Sequence, residues 1–186
     1  MHSAPLVTAA DPERFLFSFL NLVELHVVSS IRRVHGVKPK PVRRAIDYLR
    51  KTFKSDHPLL SRQMLTDGKS LFIEQYGQVV NISKDGQLQM KVALEAYLKR
   101  IEWDASGIPI RLFPFTRDKI EHTPRYIAID PKIRSGKPCI TGTGVPTGII
   151  SERHKAGDSI ALLAEDYGRS PEEIEEAVRY ESRAAS

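Results

Sequence analysis

The chain has 186 residues, 41% of them hydrophobic, with a formal net charge of +5, which is enough apolar material for one large core or two small ones. Its single cysteine, Cys139, excludes an internal disulfide framework and reads as a small buried side chain. No apolar run approaches the ~20 residues of a membrane span, and the N-terminus lacks the basic-then-apolar order of a secretory signal, so a cytoplasmic protein without membrane association is expected.

Phe19, Leu20, Val23, Val27, Ile31 and Val34 recur at helical spacing after Ser18, a suitable cap, and His35-Gly36 ends the run. Pro41 opens a second helix with Val42, Ile46, Leu49 and Phe53 on one face. Its other faces carry Lys40, Arg43, Arg44, Arg50, Lys51 and Lys54. Across 31–62 ten basic residues stand against Asp47 and Asp56. A charge run of this kind serves as a solvated surface or as a phosphate-binding footprint. On the second reading the DNA-contact candidates are Arg32, Arg33, Lys38, Lys40, Arg43, Arg44, Arg50 and Lys51.

The order Val27, Ile31, Arg32, Arg33, Gly36, Val37, Val42, Arg43, Arg44 and Ile46 resembles the later helices of MerR-type DNA-binding domains. Those domains place their recognition helix and wing earlier, and 1–14 is too short to hold them. Either the first helix-turn-helix is missing or the chain is a truncated form.

In the middle, 70–75 and 78–84 read as strands joined by Tyr76-Gly77, and Asp85-Gly86 makes the next turn. Leu88, Val92, Leu94, Ala96, Leu98 and Ile101 support a helix ending before Gly107. Residues 108–115 alternate enough to form another strand. Tyr97 and Trp103 read as core or interface residues rather than a stacking platform for bases. The apolar stripes at 15–34 and 88–101 are the expected homodimer interfaces. Polar 117–124, closing on His-Thr-Pro, reads as a linker between domain 1–116, a basic helical hairpin with a small sheet, and domain 125–186.

From Tyr126 to Ile129 a short apolar run closed by Asp130-Pro131 reads as a buried strand and turn. Pro146 suits the first turn of a helix stopped at Ala156-Gly157. Asp158 or Ser159 caps the next, which buries Ile160, Leu162, Leu163 and Tyr167 and ends at Gly168. Ser170-Pro171-Glu172-Glu173 is a capping-box pattern, followed by Ile174, Ala177 and Val178. About three residues separate these last two helices, the interval of a helix-turn-helix. The expected class is α+β, mainly helical, with a trihelical C-terminal domain preceded by short strands. From 151 onward nine acids outnumber five bases. A recognition helix opening on Glu172, Glu173, Glu175 and Glu176 would face phosphates with carboxylates, although acids also stabilise a helix N-terminus.

Asp130-Pro131, Gly136-Lys137-Pro138, Ile140-Thr141-Gly142-Thr143, Val145-Pro146, Ala156-Gly157, Asp166-Tyr167 and Pro171-Glu172-Glu173-Ile174 resemble the signature of the small bacterial family catalogued as domain of unknown function 433. The resemblance implies a VapB-type antitoxin whose partner is a VapC-type PIN-domain ribonuclease toxin. It also implies autoregulation at operator DNA and an arginine offered to the toxin's carboxylate centre, for which Arg179 and Arg183 are candidates. The alternative is a stand-alone DNA-binding transcriptional regulator using the basic lobe.

Gly136-Lys137-Pro138 and Gly142-Thr143-Gly144 lack the Lys-Ser/Thr pair and spacing of a phosphate loop, so their glycines read as turn formers. His2, His26, His35, His57, His122 and His154 are scattered without metal-ligand spacing, and there is no nucleophile elbow or His-Glu zinc motif. Carboxylates cluster only on the last helix, where a solvated face accounts for them. No catalysis, metal or cofactor is expected.

Overall fold

The computed structural model describes residues 6–14, 16–32, 38–80 and 83–184. It is an α+β fold, mainly helical, with two two-stranded sheets among the described residues. The chain forms two compact units, Met1–Pro109 and Ile110–Ser186. No helix among the described residues is long and apolar enough to cross a membrane.

In the first unit α1 (Phe19–Arg32) begins where Ser18 accepts from the Asn21 N–H at 3.1 Å and Asn21 Oδ1 accepts from the Ser18 N–H at 3.0 Å. This reciprocal pair satisfies two backbone donors that a helix start leaves open. Asn21 is fully buried because it does more: Oδ1 also accepts from the Ala10 N–H at 2.9 Å, and Nδ2 donates to the Thr8 carbonyl at 2.7 Å. The stripe Val23, Val27 and Ile31 is buried. Val34, His35, Gly36 and Val37 lie outside the described residues.

α2 (Pro39–Phe53) starts two residues before the expected Pro41, with Lys38 at its N-cap, and buries Pro41, Val42, Ala45, Ile46 and Leu49. Glu24, buried in α1, pairs with His57 Nδ1 at 3.0 Å, which fixes the segment after α2.

The middle region differs from its expected strands. After a wide helical turn at Met64–Gly68, residues 69–79 form α3 (Lys69–Val79), so 70–75 and the start of 78–84 are helical. Phe72, Ile73 and Tyr76 occupy one side of that helix and are buried. Their spacing fits a helix, and packing against α2 decides between helix and strand. Asp85-Gly86 is not a turn either; Ser83 accepts from the Gly86 N–H at 3.2 Å and opens α4 (Lys84–Leu98). Asp85 in its first turn complements the helix dipole.

α4 stops at Leu98, earlier than expected, and buried Ile101 starts β1 (Ile101–Trp103). The Asp104 carboxylate then accepts from the Ser106 and Ile108 N–H groups, each at 2.9 Å, and closes a turn with Gly107 at φ 84°. β2 (Pro109–Leu112) is shorter than the 108–115 expected. Tyr97 is buried, its ring 4.7 Å from that of His26.

The second unit is built as β3 (Ile127–Ala128), β4 (Cys139–Ile140), α5 (Thr147–Lys155), α6 (Ile160–Tyr167) and α7 (Pro171–Ala184). β3 and β4 are antiparallel, Ile127 opposite Ile140 and Ala128 opposite Cys139. The core joins Ile127 and Ile140 to Ile150, Leu163, Ala164, Ile174 and Ala177. Pro146 sits at the N-cap of α5 rather than inside its first turn. Ser159 caps α6, Gly168 ends it at φ 60°, and α7 follows at Pro171, the helix-turn-helix interval read from sequence. The capping box is formed: Ser170 Oγ accepts from the Glu173 N–H at 3.3 Å, and Glu173 accepts from the Ser170 N–H at 3.0 Å. Residues 117–124, expected to link two domains, fall within this unit.

Gly68 is buried where α3 begins, and a Cβ there would lie 2.9 Å from the Gln63 carbonyl oxygen and 3.2 Å from the Phe53 ring. We expect Gly68→Ala to destabilise the protein by about 1–3 kcal/mol through overpacking; urea unfolding followed by circular dichroism measures it.

Candidate functional site

Two charged surfaces are presented, one in each unit. On the first, α2 buries its apolar side and turns its bases outward: Lys38, Lys40, Arg44 and Lys51 are exposed, while Arg43 and Arg50 are half-buried. Arg50 is held to Asp47 at 2.7 Å, which takes it partly out of the pool of available cations. Lys38, Lys40 and Arg44 line a cavity of about 600 Å³ with Pro39, Pro41 and Val79. Of the other DNA-contact candidates, Arg32 is the last residue of α1 and Arg33 lies outside the described residues. The structure thus groups Lys38, Lys40 and Arg44 at the start of α2 and leaves Arg50 and Lys51 more than one turn further along the helix.

The second surface is on α7. Glu172 and Glu175 are exposed, as a solvated face requires, but Glu176 is completely buried. It accepts from Thr116 Oγ1 and from Arg117, Nε at 3.1 Å and Nη2 at 2.7 Å, while Arg179 Nε lies 3.5 Å away. Burial acts to raise the Glu176 carboxyl, yet the Arg117 and Thr116 hydrogen bonds hold it below the usual carboxylate range. Sequence reading missed this role. Glu176 projects away from the Ile174 and Val178 stripe, and the segment at 116–117 covers it, so helical periodicity gives no sign of its burial.

Arg179 and Arg183, the toxin-contact candidates, line the same neighbourhood. Arg183 Nη1 lies 2.9 Å from Asp118 and donates to the Thr116 carbonyl at 3.5 Å. Both arginines remain about half exposed.

The residues of the glycine-rich stretch act in backbone geometry. Asp130 accepts from the Lys132 N–H at 2.9 Å and from Arg111 at 3.1 Å. Arg134, Ser135 and Gly136 take consecutive left-handed conformations, and Arg134 Nε donates to the Gly144 carbonyl at 3.0 Å. Gly136 and Gly142, at φ 78° and 75°, take the left-handed backbone that a tight turn demands. Asp166 and Tyr167 both serve Arg153 of α5: the carboxylate receives a hydrogen bond at 2.7 Å, and the ring lies 5.5 Å below the guanidinium. Buried Cys139 has its thiol pushed up by burial, as expected of an inert packing residue.

Residues 127–180 match the family described as Protein of unknown function (DUF433). Over 178 residues the chain is 28% identical to the protein named Putative antitoxin VapB45 of Mycobacterium tuberculosis (strain ATCC 25618 / H37Rv), covering 86% of this chain and 69% of that one. The fold is similar to the crystal structure of Rv2018 from Mycobacterium tuberculosis, with a TM-score of 0.66 and 21% identity over 88% of this chain and 78% of the other.

Because the folded state holds Glu176 below its ordinary range, it contributes stability that is complete above the unfolded carboxylate value of ~4.3 and is lost as pH falls through the lower folded value. We expect Glu176→Gln to cost about 1.5–3 kcal/mol at neutral pH, the scale of hydrogen bonds to a charged group, and to flatten the loss of stability below pH ~4. Thermal unfolding of both proteins between pH 3 and 7 measures the difference.

Proposed function

We propose that the chain is the antitoxin of a bacterial type II toxin–antitoxin module. It binds and neutralises a VapC-type PIN-domain ribonuclease and represses its own operon as a homodimer. The similarity to the VapB45 protein across both units carries this reading. The division of charge supports it. A basic α2 suits the sequence-independent attraction of operator phosphates, and the arginines at the end of α7 offer planar, always-charged donors to a carboxylate-bearing protein. In this reading Arg32, Arg33, Lys38, Lys40, Arg43, Arg44, Arg50 and Lys51 are the DNA-contact set. Arg179 and Arg183 face the toxin. The chain performs no catalysis of its own and requires no cofactor.

The deciding experiment mixes the purified chain with the nuclease encoded beside its gene. RNA cleavage should fall to background at a stoichiometric ratio, and full cleavage at saturating antitoxin would reject the proposal.

A second reading, a stand-alone transcriptional regulator, rests on the excess of bases on α2. Both readings share a prediction about operator DNA. Arg43→Ala and Arg44→Ala should each weaken binding to all sequences about equally, and each lost phosphate contact should lower the slope of log K against log salt by about 1. Fluorescence anisotropy with the promoter fragment at several salt concentrations checks it; a sequence-dependent loss would mean that these residues read bases. Regulation of an operon without a nuclease gene separates the second reading from the first.

A further inference from the structure

Arg179 and Arg183 do not project from α7 as free arms. They form one wall of a pocket of about 480 Å³ whose other wall is the 116–122 segment, and its polar lining includes Arg117, Asp118, Lys119, His122, Arg179 and Arg183. Four permanent cations meet there, opposed by Asp118 at the rim and Glu176 beneath. Asp118 is 92% exposed at its side chain and therefore screened by water, whereas Glu176 is 1% exposed and already committed to Arg117 and Thr116. The Glu176 contacts also fix the pocket's shape, because they hold the Thr116 and Arg117 side chains to the middle of α7. Two surplus positive charges are thus held in a preformed concavity of the size that binds small groups.

Geometry selects among anions. Glu172 and Glu175 stand exposed on the same helix one to two turns from Arg179, so an extended polyphosphate lying along α7 would meet carboxylates. A single protruding carboxylate reaches the cations without approaching them. We propose that this pocket receives an aspartate or glutamate side chain of a protein partner. The partner's identity as the toxin rests on the antitoxin reading above. The arginines then act as the receptor wall for an acidic residue from outside, each guanidinium being able to grip a carboxylate through two parallel hydrogen bonds.

The test uses the full-length isotope-labelled chain titrated with hexaglutamate, with hexaserine and a 12-base-pair DNA duplex as comparisons, read by amide and guanidinium NMR shifts. Saturable shifts at 117–122, Arg179 and Arg183 with hexaglutamate, reduced at least fivefold in affinity by the Lys119→Glu/Arg183→Glu double variant, support the proposal. No shift at the pocket overturns it, as does stronger occupancy of the pocket by the duplex at equal charge. Unchanged near-ultraviolet circular dichroism and melting of the variant show that its fold is kept; if it is lost, Lys119→Glu alone carries the comparison. The toxin arm is separate. Inhibition of the nuclease by the wild-type chain that the double variant matches fully overturns the pocket as the toxin contact. Failure of the wild-type chain to inhibit, with hexaglutamate still bound at the pocket, removes the antitoxin reading and leaves the pocket standing.

Discussion

Glu176 places a full negative charge out of water on the side of α7 that faces away from the apolar core. Such a group persists only where donors replace its hydration shell, and Thr116 and Arg117 supply them. One carboxylate therefore does two things. It fastens the 116–118 segment to α7, and it sets the spacing at which Lys119 and Asp118 meet Arg179 and Arg183. The apolar core of the second unit could form without it, but the charged surface above α7 could not keep its shape.

The first unit depends on a comparable polar clamp. Asn21 is surrounded by partners, accepting from two backbone N–H groups and donating to a third residue's carbonyl, so that residues 8–10 are bound to the start of α1. In both units a buried polar side chain organises a segment that lacks the apolar content to organise itself. The charged sides of α2 and α7 are left to the surface, since their apolar sides are buried inward.

Legibility in the sequence followed the reach of each interaction. The α6–α7 pair was readable because every determinant is local: Ser159 caps, Gly168 takes a left-handed conformation, and Ser170 with Glu173 closes a box within four residues. The stripes of α1 and α2 were readable for the same reason. Residues 69–79 misled because Leu71, Phe72, Ile73 and Tyr76 fit either period, and the choice is made by packing against α2. Asn21 and Glu176 were invisible as structural residues because their partners lie about a dozen and sixty positions away. For Arg179 and Arg183 the sequence shows two bases near the end of α7 but not the concavity around them, which is created by the distant 116–122 segment.

The charge order along α7 also bears on how the second unit comes together. Acids crowd its first turn, a reciprocal cap closes its beginning, and Arg183 lies in its last turn, so each end opposes fraying through its own residues. The strands packed against it, Ile127–Ala128 and Cys139–Ile140, have only two residues each, so α7 supplies most of the regular backbone hydrogen bonding at that contact. The two short strands thus rest on a helix that its own residues close at each end.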